Sequence, residues 1–379
     1  MMLGAKVVST VVRSGLLLFA VIALTACASS DKAKMAELGP NPATLAVKSA
    51  WTGSVGAVSF PLDIRAMGSN LYVASTDGVV AEIDGRTGGD VWRSTIKAQI
   101  SAGVGSDGRY SSVVSRNNEL IGLDAGREIW RQKLPAVSLT APFVAGERVF
   151  VLAGDRSVTA FDAATGRRLW QQQRAGDSLV LQQGGVIFAV GDTLVAGLGG
   201  RLVSMNPQTG SVRWETLVAN SRGTNEVERL VDLVAGVSRN GDQVCVRSFQ
   251  SAVACLDAVR GTSLWNKNAV GYTGLGGDAE TVFGTESDGT VVAWRRTDGD
   301  RLWSNDQLKH RVLTTPLSLG RSVVVGDSAG FVHFLSRDNG ATLNRMPTDG
   351  SAVVAGPVLV GQTVVVVTRR GGIYGFRPE

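Results

Sequence analysis

Residues 149–170 read VFVLAGDRSVTAFDAATGRRLW, an apolar strand and a polar turn followed by an alternating strand, a Thr-Gly turn and a strand that ends on tryptophan. The same arrangement recurs at residues 71–92 (LYVASTDGVVAEIDGRTGGDVW), 193–214 (TLVAGLGGRLVSMNPQTGSVRW) and 281–303 (TVFGTESDGTVVAWRRTDGDRLW). Self-similarity at a period of about 40 residues indicates a repeat architecture in which each unit packs on its neighbours.

A tryptophan or its equivalent closes each unit, and a glycine precedes that position by four residues. A glycine repeated at one offset indicates a turn with positive φ, which a residue carrying a Cβ adopts only at a cost. We expect the indole rings to pack between neighbouring units, as large apolar rings commonly do. The closing positions are Trp92, Trp130, Trp170, Trp214, Trp265, Trp303 and Asn344, and the glycines are Gly88, Gly126, Gly166, Gly210, Gly261, Gly299 and Gly340.

The two ends of the chain indicate a closed ring. The last unit, which begins at Thr363, reaches Glu379 before its turn glycine, whereas Trp51 stands at the closing position of a unit that has no beginning. A strand near residues 46–53 therefore completes the last unit. Over residues 46–379 the sequence predicts an all-β fold, an eight-bladed β-propeller of four-stranded antiparallel blades. The alternative is an open solenoid, which needs a polar cap at each end.

The N-terminus has the features of an exported protein. Two basic residues precede a short apolar run that is not long enough for a comfortable membrane span. The run ends in Leu-Thr-Ala-Cys at residues 24–27, which resembles the lipobox of bacterial lipoproteins; an ordinary signal peptide with a chance cysteine is the alternative. These features predict a signal peptide over residues 1–26, and the resemblance implies that Cys27 is acylated. The residues that follow lack strand periodicity, so we expect residues 27–45 to form the acylated cysteine and a flexible tether. Ala28 after the cysteine favours the outer membrane, with the folded body in the periplasm.

Composition excludes several classes of function. A formal net charge of +5 without clusters of lysine or arginine is not typical of nucleic-acid binding. The chain has two histidines, His310 and His333, so a histidine-based metal centre or histidine-dependent catalysis is not expected. We therefore expect no nucleic-acid partner and no metal site.

Two cysteines flank one short turn. Cys245 and Cys255 are symmetrical about Gln250, and residues directly opposite each other in a hairpin bring their Cβ atoms within the range of a disulfide. A periplasmic location makes oxidation feasible. The alternative is a pair of buried free thiols in facing strands. A Cys-x9-Cys pair without further cysteine or histidine ligands does not match a zinc motif.

The units have a known counterpart. The pattern Asp-x-x-Thr-Gly-x-x-x-Trp at residues 84–92 and 162–170 resembles the repeat of pyrroloquinoline-quinone (PQQ) dehydrogenases. The resemblance implies the blade fold, which can host many functions. Those dehydrogenases hold a quinone and calcium with acidic and amide side chains, and they often carry adjacent cysteines. This chain has no adjacent cysteines and no recognisable set of acid, amide and base, so no cofactor is predicted.

The lipobox, the tether and eight such blades together resemble the B lipoprotein of the β-barrel assembly machinery of Gram-negative bacteria. Residues 179–182 (LVLQ) and 225–232 (NEVERLVD) resemble two loops of that family, L-S-L-R and T-E-I-D-R-L-S-D. In the family these loops are adjacent on one face and contact the periplasmic POTRA region of the barrel-inserting subunit. Gln182 stands where the family often has arginine, and Val234 stands where it often has a second acid. The resemblance implies a partner-binding set of Leu179, Leu181, Gln182, Glu226, Arg229 and Asp232.

Local interpretations of the same residues stay open. Alternation alone places Leu179 and Leu181 on the inner face of a blade's first strand. Arg229 and Asp232 are three residues apart, a spacing that also suits a local ion pair within the loop.

The resemblance implies a non-catalytic scaffold lipoprotein that assists the insertion of outer-membrane β-barrel proteins. Its expected partners are the POTRA domains of the barrel-inserting subunit, outer-membrane lipid through the acyl anchor, and unfolded outer-membrane protein clients that add a strand to an exposed edge. The alternative functions are a small PQQ-dependent quinoprotein dehydrogenase and a ligand-binding periplasmic propeller.

Overall fold

The computed structural model describes residues 33–174, 181–220 and 230–379, and within these residues 32 β-strands form eight four-stranded antiparallel sheets. In chain order the first 16 strands are β1 (Val47–Ser54), β2 (Arg65–Met67), β3 (Asn70–Ala74), β4 (Val79–Asp84), β5 (Asp90–Thr95), β6 (Ile100–Ser106), β7 (Tyr110–Ser115), β8 (Glu119–Asp124), β9 (Arg127–Lys133), β10 (Phe143–Ala145), β11 (Arg148–Leu152), β12 (Ser157–Asp162), β13 (Arg168–Gln173), β14 (Ile187–Val190), β15 (Thr193–Leu198) and β16 (Arg201–Met205). The others are β17 (Val212–Leu217), β18 (Leu233–Asn240), β19 (Gln243–Ser248), β20 (Ala252–Asp257), β21 (Thr262–Asn268), β22 (Gly276–Gly277), β23 (Thr281–Thr285), β24 (Val291–Arg295), β25 (Arg301–Asn305), β26 (Leu317–Leu319), β27 (Ser322–Gly326), β28 (Phe331–Ser336), β29 (Thr342–Pro347), β30 (Val358–Val360), β31 (Thr363–Val367) and β32 (Gly372–Pro378). Within the same described ranges there is no helix that is long and apolar enough to cross a membrane.

Each sheet is one blade of a propeller. Blades 1 to 7 take four consecutive strands each, from β2–β5 in blade 1 to β26–β29 in blade 7, and blade 8 combines β30, β31 and β32 with β1. The first strands of neighbouring blades contact each other, as β2 contacts β6 and β30, so they line the centre of the ring. The eight-bladed β-propeller that the repeats predict is confirmed.

The antiparallel order gives the propeller two distinct faces. The connections between blades and the turns between second and third strands lie on one face, which we name the loop face. The turns between first and second strands and between third and fourth strands lie on the other, which we name the turn face. In blade 1, for example, a Cβ on Gly78 in the second turn would lie 2.6 Å from the carbonyl oxygen of Ala98 in the connection to blade 2.

The N-terminal strand closes the ring. Strand β1 pairs antiparallel with β32, from Val47 opposite Pro378 to Ser54 opposite Gly372. Blade 8 therefore takes its outer strand from the start of the chain and its three inner strands from the end. The prediction that residues near 46–53 complete the last blade is confirmed.

The core consists of the second and third strands of each blade. Every residue of β23, β27 and β31 is buried. These strands read as short continuous apolar runs because adjacent blades cover both of their faces. Full burial of one valine or leucine side chain contributes about 1.5–3 kcal/mol, so these layers dominate the stability of the ring.

A tryptophan and a glycine join neighbouring blades at seven of the eight junctions of the ring. Gly299 has a φ of +74°, and a Cβ there would lie 2.5 Å from Cε3 of Trp265 in the preceding blade. The indole N–H of Trp265 donates a hydrogen bond to the carbonyl oxygen of Arg296 at 2.7 Å. The glycine is therefore required both by the turn and by the ring that covers it. The same stacking joins Gly88 to Trp51, Gly126 to Trp92, Gly166 to Trp130, Gly210 to Trp170, Gly261 to Trp214 and Gly340 to Trp303.

Residues 36–45, which we name the strap, follow the outer strand of blade 7. The N–H of Ala36 donates to the carbonyl oxygen of Lys309 at 2.9 Å, and the N–H of Thr44 donates to that of Leu343 at 2.8 Å. The sequence assigns the strap to a flexible tether because it lacks strand periodicity, but hydrogen bonds to blade 7 hold it in place. The signal peptide and the lipid-anchor residue lie outside the described residues, and their assignment stays a prediction.

Candidate partner-binding surface

The structure describes half of the predicted partner-binding set. Leu181 and Gln182 lie in the connection from blade 3 to blade 4, and Asp232 lies in the connection from blade 4 to blade 5. All three are therefore on the loop face. The other predicted site residues lie outside the described residues; they are Leu179, Glu226, Arg229 and the predicted lipid anchor Cys27.

The two predicted loops meet. The backbone N–H of Leu181 donates a hydrogen bond to Oδ2 of Asp232 at 3.1 Å. The carbonyl oxygen of Asp232 accepts a hydrogen bond from the N–H of Phe249 at 2.9 Å, so Asp232 joins the first loop to blade 5. A carboxylate that accepts a backbone N–H makes a strong hydrogen bond, which fixes one loop against the other.

A short antiparallel contact continues this junction. Gly185 forms a β-bridge with Val234, and the N–H of Ala235 donates to the carbonyl oxygen of Gly184 at 2.8 Å. A Cβ on Gly184 would lie 3.3 Å from the Cβ of Ala235, so glycine allows the two backbones to approach. Val234 is 2% exposed, which means that this chain has a core residue at the position of the second acid.

The structure also decides one alternative for the leucine loop. The first strand of blade 4 begins at Ile187, six residues after Leu181. Leu181 therefore belongs to the connection between blades, and its placement on the inner face of a first strand is wrong. The side chain of Leu181 is partly buried, whereas Gln182 beside it is exposed.

A cavity of about 340 Å³ opens beside these residues. Leu181, Gln182 and Asp232 line it together with residues of blade 3 and of the connection before it. A mostly apolar cavity of this size with a few polar groups is typical of a site that accepts a side chain or a small ligand. Its apolar walls are Val137, Leu139, Leu152, Leu181 and Leu233, and its charged groups are Arg156 and Asp232.

Arg156 lines the same cavity and is not part of the predicted partner-binding set. It has a φ of +61° in the turn between β11 and β12, at the place that Gly78 and Gly330 occupy in blades 1 and 7. A non-glycine residue in the left-handed region costs energy and often marks a functional position. Nε of Arg156 is buried and has no hydrogen-bond partner among the described residues. An arginine in a turn where blades 1 and 7 have glycine is the sequence signal that identifies it.

The two cysteines face each other in blade 5. Cys245 on β19 lies directly opposite Cys255 on β20, and their sulfur atoms are joined in a disulfide. Both residues are fully buried, and Sγ of Cys245 accepts a hydrogen bond from Nη1 of Arg296 at 3.3 Å.

One of the two histidines lies in a buried charge cluster. Nε2 of His333 lies 3.0 Å from Oδ2 of Asp327, which also accepts a hydrogen bond from Nε of Arg311 at 2.7 Å. Burial lowers the pKa of His333 below its ordinary value, although Asp327 opposes this shift. The other histidine, His310, is exposed. Among the described residues, no group of three or more histidine, cysteine, aspartate or glutamate side chains could hold a metal ion.

A buried arginine lies between blades 5 and 6. Arg247 is fully buried, and its Nη2 donates to Oε1 of Glu286 at 2.9 Å. Burial lowers the pKa of Arg247, and the charge of Glu286 opposes that shift. Cβ atoms on Gly271 and Gly284 would overlap the guanidinium, so these two glycines make the space for it.

Comparison with known proteins identifies close relatives. A family model described as "Outer membrane protein assembly factor BamB" matches residues 76–305. The outer membrane protein assembly factor BamB of Burkholderia pseudomallei is 39% identical over 369 residues, which cover 95% of this chain and 96% of the relative. The protein of the same name from Bordetella pertussis is 34% identical and covers 96% of this chain and 97% of its own length.

Solved structures show the same fold. BamB from Moraxella catarrhalis superposes with a TM-score of 0.79 at 24% identity, over 88% of this chain and all of the other. The quinohemoprotein alcohol dehydrogenase of Comamonas testosteroni superposes with a TM-score of 0.67 at 16% identity, over 89% of this chain and 77% of the enzyme. The blade architecture is thus shared by proteins with different functions, and the fold alone does not distinguish them.

Proposed function

The chain belongs to the family of the outer membrane protein assembly factor BamB, and from this membership we infer what it does and which of its surfaces does it. It is an outer-membrane protein assembly factor, a scaffold that assists the assembly of outer-membrane β-barrel proteins. The relatives of that name match this chain over nearly its whole length, whereas the quinohemoprotein alcohol dehydrogenase shares only the fold. The scaffold is non-catalytic in our proposal.

The junction of the two loops is the surface that binds the partner. The partner is the periplasmic POTRA region of the barrel-inserting subunit. The hydrogen bond between Leu181 and Asp232 supports this proposal most directly, because it makes one surface of two loops that are 51 residues apart in the chain. An apolar side chain of the partner would enter the cavity beside Leu181, and Arg156 at its wall would meet an acidic group.

The same family membership bears on the location of the protein and on its clients. Cys27 carries the acyl chains that hold the protein to the outer membrane, with the propeller in the periplasm. Unfolded outer-membrane protein clients contact exposed outer edges of blades by strand addition. Exposed apolar residues on these outer strands support that role, for instance Val91 and Leu302, which are 53% and 44% exposed.

The test is binding of the purified POTRA region to variants of the loop. Leu181→Asp together with Leu179→Asp places charges at the apolar contact and weakens binding by about 2 kcal/mol or more, which is roughly thirty-fold in Kd. Leu264→Asp is the matched control. Leu264 is 49% exposed on the outer strand of blade 5, outside the two loops that bind the partner. Unchanged affinity of the double variant, with an intact fold, would overturn the loop assignment.

A further inference from the structure

The strap is held to blade 7 along its whole length. Nδ2 of Asn41 donates to Oδ1 of Asn344 at 2.9 Å, and Nδ2 of Asn344 donates to the carbonyl oxygen of Leu45 at 2.7 Å. Leu38 packs against a cluster that includes Val291 of blade 6 and Leu335 of blade 7, between the two blades. The strap therefore has both polar and apolar contacts to the propeller, although it is not a regular strand.

Two arginines hold the N-terminal half of the strap. Nη1 of Arg311 donates to the carbonyl oxygen of Ala36 at 2.8 Å, and Nη2 of Arg345 donates to that of Gly39 at 3.1 Å. Both guanidinium groups lie over the ring of Phe331, at 5.9 and 5.5 Å from its centroid. Two cations on one aromatic ring form a fixed pair of donors for the strap backbone.

A buried ion pair fixes the arginine that binds Ala36. Nε of Arg311 donates to Oδ2 of Asp327 at 2.7 Å, and the two side chains are 7% and 0% exposed. A buried ion pair of this geometry is costly to break, because the partner that is left behind has no water around it. The strap contact therefore rests on a rigid part of blade 7.

The strap begins and ends on opposite faces of the propeller. Ala36 lies on the loop face, since its two partners Lys309 and Arg311 are in the connection from blade 6 to blade 7. Strand β1 begins on the turn face, because Val47 pairs with Pro378 at the end of a third strand. The strap thus carries the chain from one face to the other along the outside of blade 7.

We propose that the strap selects the face of the propeller that approaches the lipid surface. With the strap in place, the chain leaves the propeller on the loop face at Ala36, and nine residues lead back to Cys27. Nine residues span at most about 30 Å, and passing back over a blade would use about 20 Å of that length. The loop face, which carries Leu181 and Asp232, is therefore turned toward the membrane. Without the strap the chain would leave from the turn face.

This inference rests on the acyl anchor of the proposed function, and the experiment separates the two. The full lipidated chain is reconstituted into phospholipid vesicles that carry an acceptor dye on a fraction of their headgroups. A donor dye is attached to Ala329→Cys on the loop face or to Arg321→Cys on the turn face. Both sites belong to blade 7 and are separated by the five residues of β27 (Ser322–Gly326). Flotation of the vesicles reports the anchor, and energy transfer reports the orientation.

We expect the rate of energy transfer to the headgroup acceptor to be several-fold higher from the dye at position 329 than from the dye at position 321. Leu38→Asp with Asn41→Ala releases the strap by substituting strap residues alone. The twenty residues from Cys27 to Val47 then span up to about 65 Å, which is enough to pass either face, so the difference between the two rates is lost. Leu38→Met is the control that keeps the apolar contact and the original order. Equal or reversed transfer from the chain with its unsubstituted strap, when that chain floats with the vesicles, overturns the strap inference. A chain that does not float overturns the acyl anchor of the proposed function.

Discussion

Replacement of Gly299 by alanine tests why the turn glycine recurs. In this variant the backbone of residue 299 stays in the left-handed region at a φ of +74°, and the new methyl group lies 2.5 Å from Cε3 of Trp265. Gly350 provides the matched control, because its φ is +77° and a Cβ there meets nothing within 4 Å. The two substitutions therefore share the backbone penalty, and they differ in the contact with the indole.

The two penalties can be estimated separately. An alanine in the left-handed region costs about 1–2 kcal/mol, and the loss of glycine freedom in the unfolded chain returns about 0.4–1 kcal/mol. Gly350→Ala should therefore lower the free energy of unfolding by about 1 kcal/mol. Forcing a methyl group into a packed contact adds about 1–3 kcal/mol. Gly299→Ala should therefore lower the free energy of unfolding by about 2–4 kcal/mol.

Urea denaturation measures this difference, with tryptophan fluorescence and far-UV circular dichroism as the two probes. Coincident transitions and a common slope allow the midpoints to be compared as free energies. A double-mutant cycle with Trp265→Leu isolates the clash: the cost of Gly299→Ala falls by about 1–3 kcal/mol when the large ring is absent. Equal midpoints for Gly299→Ala and Gly350→Ala, or additive effects in the cycle, would refute the stacking explanation.

Three further predictions concern buried groups. Burial lowers the pKa of His333 below 6.5, so the unfolded chain binds a proton at this side chain before the folded chain does as the pH falls. The free energy of unfolding therefore decreases from pH 7 to pH 5, by at most about 1.4 kcal/mol per pH unit. His333→Gln removes this part of the pH dependence, as measured by urea denaturation at each pH. Glu286→Ala leaves the fully buried Arg247 without its partner and lowers the free energy of unfolding by about 3–5 kcal/mol, whereas a change below 1 kcal/mol in thermal or urea unfolding would contradict a buried pair. Peptide mapping of protein purified from outer membranes without reductant should give one linked peptide containing Cys245 and Cys255, and free thiols at both positions would contradict the disulfide.

Much of the fold could be predicted because its signals are local and repeated. Gly88 and Gly299 stand at the same offset from a closing tryptophan, since the turn and the stacking of the ring require a residue without a Cβ at these junctions. Ring closure could be predicted from Trp51, because a closing residue without a unit of its own needs a partner at the other end of the chain. These patterns are visible in one sequence because seven blades have the same turn under the same ring.

The strap could not be predicted in the same way. Residues 36–45 have no periodicity, and their contacts depend on Arg311, Phe331 and Arg345, which are about 300 positions away in the chain. Irregular segments are held by individual hydrogen bonds and side-chain contacts, which leave no repeating trace in the sequence. A stretch with prolines, serines and lysines before the first strand therefore predicts a tether, even where the folded protein fixes it.

The candidate partner-binding surface could be predicted in part. The resemblance of residues 179–182 and 225–232 to a family pattern implied their adjacency, and the bond between Leu181 and Asp232 agrees with it. Arg156 was missed because it lies in blade 3, in a turn whose role depends on a cavity formed with residues of the two loops. Distant segments that form one site share no spacing rule, so only the fold brings them together.

Isolation of the native complex tests the central claim most directly. The full lipidated chain, tagged at its C-terminus, is purified from outer membranes in mild detergent, and the co-purified proteins are identified by mass spectrometry. We predict that the barrel-inserting subunit is recovered in an amount comparable to the chain itself, and that Leu181→Asp with Leu179→Asp reduces this recovery while Leu264→Asp does not. Recovery of the chain alone, from membranes that contain the barrel-inserting subunit, would contradict its role as an assembly factor.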